Sequence, residues 1–193
     1  MKKIPITRGF TLVETMIAVT ILALAIAGPL YTASRSVIAA QNASAQLTAT
    51  YLAQEGIEYV RMMRDNEYLA VSNQPNASVQ AWSNFLSSPD AASIVSCRAT
   101  TCTLDPSRPM GTGSGFSLQP CSLSGSPYPV CAPLNLSNGI YTQQSLGTPT
   151  IFTRTIQAVD ASSQVESISS IVSWTYHGTV YSVSAADQLT PWQ

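Results

Sequence analysis

The chain has little charge. Asp, Glu, Lys and Arg make up 10% of its 193 residues, against about 25% in a typical soluble domain. It has two lysines, Lys2 and Lys3, and one histidine, His177. A net charge of −1 gives no basic field to attract nucleic acid, and Arg98 and Arg108 alone do not form a patch. No nucleic-acid partner is indicated. Catalytic signatures are missing too. There is no Gly-x-Ser-x-Gly elbow, no phosphate-binding loop and no grouping of histidine with carboxylates. Each of those chemistries needs those residue types at those spacings. The chain is therefore not read as an enzyme, and no catalytic residue, metal ion or cofactor is expected. His177, beside Gly178, reads as a surface turn residue.

Cysteine is sparse and unevenly placed. Cys97 and Cys102 enclose four residues, and Cys121 and Cys131 enclose nine. An even count at short spacing in loop-like sequence fits disulfides made in an oxidising compartment. The rival is a metal site, but there is one histidine and no Cys-x₂-Cys spacing. Four cysteines allow three connectivities. Nearest-neighbour pairing, Cys97 with Cys102 and Cys121 with Cys131, is the working expectation; spacing does not decide among the three.

The charges that do exist crowd the front of the chain. Eleven of the nineteen lie in the first 67 residues, and Ser, Thr, Asn, Gln, Gly and Pro replace them afterwards. Such a neutral polar surface suits extracellular material better than a cytosolic enzyme. Residues 1–9, MKKIPITRG, carry three positive charges. From Thr15 to Tyr31 the next seventeen residues carry none. With Phe10–Val13 the apolar stretch is long enough for a bilayer whose hydrocarbon layer is ~30 Å thick. Basic residues ahead of it place the N-terminus in the cytoplasm. The run is too long for an ordinary cleaved signal, and no small-x-small site follows it. Glu14 is the anomaly, because a carboxylate in hydrocarbon costs about 2.5–3.5 kcal/mol on insertion scales.

Four parts follow the leader. Residues 10–34 read as the membrane half of a helix, in which Gly28 and Pro29 are expected to kink or locally unwind it. Residues 35–70 continue as an amphipathic half. Ala45, Ala49, Leu52, Gly56, Tyr59 and Met63 form one stripe at spacings of three and four. Glu58, Arg61, Arg64, Asp65 and Glu67 can pair on the wet side, and Gly56 would let a sheet or helix approach closely. Residues 71–149 hold nine of the twelve prolines and lose periodicity, so they read as an irregular, disulfide-containing loop region. In it Trp82, Phe85, Phe116 and Tyr128 are contact candidates, though more often such residues are packing anchors. Residues 150–193 return to period two with turns at DASS and HG, an antiparallel β-meander. Val165, Ile168, Ile171 and Val172 alternate imperfectly, which allows a bulge. Three strands need a cover, and the amphipathic helix is the candidate. The fold class is α+β: a long N-terminal transmembrane-to-periplasmic helix packed on a small antiparallel sheet, with a long disulfide-stapled loop.

At RGFTLVE, residues 8–14, the chain resembles type IV pilin-like proteins: pilins, minor pilins and the pseudopilins of type II secretion. The detailed resemblance covers residues 8 to about 35. YLAQEGIEYVRMMRDNEYL and the closing LTPW are similar to minor pilins of the modification-protein kind. The resemblance implies a pilin fold, cleavage by a prepilin peptidase between Gly9 and Phe10, and N-methylation of Phe10. It makes Glu14 the assembly residue that meets the new N-terminal amine, often a neighbour's. Its implied partners are other pilin subunits, the prepilin peptidase and an inner-membrane assembly platform. Its implied location is the inner membrane as a single pass, and then an extracellular filament or periplasmic pseudopilus.

The physics of Glu14 agrees with the resemblance. No amine exists at Phe10 before cleavage. Afterwards one lies at the carboxylate's depth, and pairing offsets part of the burial cost. The competing reading is a plain signal anchor with an accidental Glu. Two classes of function fit: a structural minor subunit of a pilus-like filament or of a secretion or DNA-uptake pseudopilus, and a filament-borne binding module whose contacts lie in 71–149.

Overall fold

The computed structural model describes residues 9–87, 94–108, 118–121 and 131–191. The leader up to Arg8, and Phe116 and Tyr128, lie outside the described residues. Among the described residues there are three helices: α1 (Leu12–Val71), α2 (Ala77–Ser87) and the single turn α3 (Ser96–Ala99). The strands are β1 (Cys102–Leu104), β2 (Leu118–Pro120), β3 (Asn135–Ser137), β4 (Ile140–Thr142), β5 (Thr148–Pro149), β6 (Phe152–Ser162), β7 (Val165–Tyr176) and β8 (Thr179–Leu189). The chain divides into two compact units between Ser44 and Ala45.

In the first unit, α1 is helical through Gly28 and Pro29. Its large apolar side chains, from Leu12 to Ile38, are exposed. The hydroxyls in this stretch are satisfied within the helix. Thr15 donates to Leu12 O at 2.8 Å, Thr20 to Ile17 O at 2.8 Å, Thr32 to Pro29 O at 2.9 Å and Ser34 to Leu30 O at 3.0 Å. Folded back on the backbone, these groups need no water, which is what an apolar surrounding demands.

The second unit is a sheet with the rest of α1 packed on it. The strand order is β2-β1-β6-β7-β8, antiparallel throughout. The expected three-stranded meander is thus the β6-β7-β8 core of a five-stranded sheet. Ala49, Leu52, Ala53, Gly56, Ile57 and Val60 are the buried face of α1, with Ala45, Tyr59 and Met63 partly buried beside them. The stripe read from spacing was therefore right in direction but omitted Ala53, Ile57 and Val60.

The inward row of β7 is Glu166, Ile168, Ser170, Val172 and Trp174, all buried. Two of those five are polar, which is why the apolar alternation looked broken in sequence. Each has a local reason. Ser170 lies under Gly56: a Cβ on Gly56 would collide with Ser170 Oγ and sit 3.0 Å from Ser170 Cβ and Ile156 Cδ1. Glu166 pairs with Arg98. The register irregularity lies in β6, between Asp160 and Ser162 at the turn, with β7 regular against β8.

The stretch 71–149 holds more order than its composition suggested. α2 buries Trp82 and Phe85, whose rings are 5.4 Å apart, in the core with Ile57, Val60 and Ile156. They are packing anchors. A second small sheet, β4-β3-β5, folds around Asn138 (φ 51°) and Gly139 (φ 82°), the dipeptide that suits a two-residue hairpin turn. His177 (φ 48°) and Gly178 (φ 80°) make the corresponding turn between β7 and β8.

Gly56 yields a test by double-mutant cycle. Alanine is the better helix former by about 1 kcal/mol, yet Gly56→Ala should destabilise the full chain, because overpacking typically costs ~1–3 kcal/mol. In a Ser170→Ala background the penalty should shrink, since the Oγ that collides is gone. Urea unfolding of the four chains in detergent micelles measures it; equal penalties in both backgrounds would remove the contact from the account.

Candidate functional site

The site begins at the start of α1. Gly9 and Phe10 precede the helix and are exposed. Thr11 stands at the N-cap position: its Oγ1 accepts from the Glu14 backbone N–H at 3.3 Å, and its carbonyl accepts the first helical bond, from Thr15 N–H at 3.2 Å. Thr-x-x-Glu is the sequence form of a capping box. Glu14 lies in the first turn, where the helix dipole favours a negative charge. The expected cleavage junction, Gly9–Phe10, thus lies four to five residues ahead of Glu14 in sequence. Thr11 was missed in the sequence reading, although the four-residue pattern was there to be seen.

The apolar stretch ends in a different pattern. Arg35 Nε donates to Tyr31 Oη at 3.2 Å, and its guanidinium carbon lies 5.3 Å from the Tyr31 ring centre. An aromatic ring joined to a cation is typical of a membrane–water interface. By length and composition α1 can cross a membrane; its best eighteen-residue window has a mean hydropathy of 2.0.

In the second unit the charged groups are used to fasten loops and helix to sheet. Arg98 forms a two-pronged pair with the buried Glu166, at 2.9 and 2.5 Å, and reaches Asp160 at 3.2 Å. The Glu166 hydrogen bond raises the Arg98 pKa against the effect of burial. Arg61 pairs with Glu58 at 2.6 Å, as its helical spacing suggested, and also with Asp187 on β8 at 2.8 Å. Arg64 pairs with its neighbour Asp65 at 2.8 Å. Asp105 Oδ1 accepts from Ser107 N–H and from the hydroxyls of Ser107 and Thr142. None of these cross-element partners could be read from helix spacing.

Cys97 is bonded to Cys102 and Cys121 to Cys131, with Cα separations of 5.4 and 5.3 Å. The first bond ties α3 to β1, and so carries Arg98 to Glu166. Among the described residues no three His, Cys, Asp or Glu side chains gather as metal ligands would. A groove of about 560 Å³ opens between α2 and the β6–β7 turn, walled by Val79, Trp82, Gln164 and Pro191. Among the described residues no ionisable side chain lines it.

Comparison with protein-family models matches residues 6–28 to the prokaryotic N-terminal methylation motif. This match supports a type IV pilin-like, prepilin-type protein. It spans the Gly9–Phe10 junction, Glu14 and the apolar run as far as Gly28, and leaves the second unit outside. Neither the curated proteins nor the solved structures give a match. For a prepilin-type chain, the motif and the apolar helix together fit anchoring in the inner membrane, and the motif implies processing by a prepilin peptidase and assembly into a pilus-like structure.

The Arg61–Asp187 pair makes folding stability depend on pH. Its hydrogen bond, the largest influence on Asp187, holds that carboxyl below the usual carboxylate range. A depressed folded pKa adds stability that is complete above the unfolded value, about 4, and is lost as pH falls through the folded one. Native chain should therefore exceed Asp187→Asn in urea resistance at about pH 6, and the difference should shrink progressively as pH falls below about 4. A difference that stays constant across that range would assign it to packing rather than charge.

Proposed function

We propose that the chain is a minor structural subunit of a type IV pilus-like filament. A prepilin peptidase cuts it after Gly9 on the cytoplasmic side, the new N-terminus at Phe10 is N-methylated, and an assembly platform in the inner membrane adds it to the filament through its N-terminal helix. It crosses the membrane once with the N-terminus inside, as three positive charges among the first nine residues favour. The observation that carries the reading is the placement of Glu14. It is the one acidic residue in the apolar run, in the first turn of α1, four residues after the expected new amine. A charge there is expensive alone and much less so when it meets an ammonium.

The same carboxylate also suits helix capping, so a useful test must separate the two roles. Glutamine serves the capping box as glutamate does, but cannot pair as an anion. Glu14→Gln and Glu14→Ala should both insert and be processed. Each should fall at least about tenfold in sheared surface filaments, measured by quantitative immunoblot. Thr11→Val, which removes the cap and keeps the charge, should be incorporated nearly normally. Normal incorporation of Glu14→Gln would sink the amine-pairing idea and leave capping. Immunogold labelling then separates sparse incorporation in pili from a periplasmic pseudopilus.

A further inference from the structure

The two edges of the five-stranded sheet differ. One edge is β2: three residues long and ending in Pro120, which has no N–H to offer. Short edge strands and proline are standard ways of closing an edge. The other edge is β8. It is eleven residues long and pairs with β7 at every position from Thr179 to Leu189 without a register shift. Among the described residues no strand pairs with its outer side. From Thr179 to Ala186 it contains no charge, no proline and no bulge. Asp187, its one acid, is held by Arg61 at 2.8 Å. A long, regular, neutral edge presents a row of backbone donors and acceptors to any extended chain.

The side chains of β8 say what such a chain should look like. Tyr181, Val183 and Ala185 lie on the helix-facing side. Tyr181 stacks on the buried Trp174 with ring centres 5.7 Å apart. Val183 and Ala185 pack against the core. On the opposite side Ser182, Ser184, Ala186 and Gln188 are exposed. A strand added beside β8 would extend both faces. It would place apolar side chains next to Tyr181, Val183 and Ala185 and polar ones next to the serines, in a period of two.

We propose that the outer edge of β8 is a strand-addition site for an uncharged, alternating apolar–polar segment of a different protein. A second copy of this chain does not fit. Antiparallel pairing of two β8 strands needs a two-fold axis normal to the sheet. That rotation would set the two Ala45–Val71 helical segments in opposite directions, whereas copies added to one filament, as proposed above, all point the same way. Pairing β8 with the β2 edge of another copy meets Pro120. Only this exclusion rests on the filament reading proposed above; the edge position of β8 among the described residues stands without it.

Residue-resolved amide exchange on the full chain in detergent micelles tests the proposal. The probe is a short capped peptide alternating Val with Thr and Ser. Without peptide, every second amide of Thr179–Ala186 should exchange quickly, because alternate residues point away from β7. At millimolar peptide that fast set should slow at least tenfold. The same peptide N-methylated at every residue keeps its side chains but cannot join a ladder, and should have no effect. The proposal is overturned by slow exchange of both sets before peptide is added, by no slowing at millimolar peptide, or by equal slowing from the N-methylated form. Protection that rises with the concentration of the chain alone would overturn it too, in favour of a second copy. None of these readouts depends on cleavage at Gly9, so they are independent of the filament reading.

Discussion

Arg154 has no exposed surface, and what it holds explains why the second unit keeps its shape. It projects inward from β6. Its Nη1 donates to Leu52 O at 3.3 Å and pairs with Glu55 at 2.5 Å, both on α1; its Nη2 donates to Leu104 O at 3.1 Å, on β1. One guanidinium thus joins helix, central sheet and the strand beyond. Burial pushes its pKa down, and Glu55 opposes that. The cation is retained because three acceptors converge on it, a geometry that lysine could not reproduce. The alternative, a buried charge lacking its partners, costs about 3–5 kcal/mol. Gly56 sits one residue on from Glu55 and lets the backbone of α1 descend onto Ser170. Close approach at Gly56 and the reach of Arg154 depend on each other.

From that seat the other features follow. The helix face from Ala49 to Val60 serves two clusters. One is the aromatic group of Phe152 and Trp174; the other is the group that takes in Trp82, Phe85 and the Cys97–Cys102 bond. α3 is a single turn with no helix stability of its own. It is fixed by the disulfide on one side and by Arg98 on Glu166 on the other. The same α1 also carries, in its first part, an exposed apolar surface whose hydroxyls are folded onto its own backbone. One helix therefore meets two environments, and its sequence changes accordingly: greasy on all sides before Arg35, apolar on one face after Ala45.

Most of the architecture was legible in the residues because it depends on period. The apolar run, the three- and four-residue spacing beyond it, and the two-residue alternation from 150 onward each record which surface is wet. Glu14 stands out in the sequence because it breaks an apolar run, and it lies within residues 6–28, which match the N-terminal methylation motif. What escaped notice escaped for different reasons. The Thr11 cap and the Asn138–Gly139 turn are local and readable from short patterns. The order within 71–149 was not readable in that way. α2 is short, and its burial of Trp82 and Phe85 depends on a core supplied by distant segments.

The sequence by itself determined the α+β class, the anchor-like N-terminal helix, the processing motif and the meander, because these rest on local periodicity and on short-range motifs. Only the tertiary structure decided which charges are buried and with whom. Glu55 meets Arg154, 99 residues away; Arg61 meets Asp187, 126 away; Arg98 meets Glu166, 68 away. It also decided that β2 and β1 extend the meander, so that one sheet edge ends in Pro120 and, among the described residues, no strand pairs with the outer side of β8. The reason is physical. Helix and strand periods are written in neighbouring residues, whereas an ion pair or a sheet edge depends on which distant segments fold together.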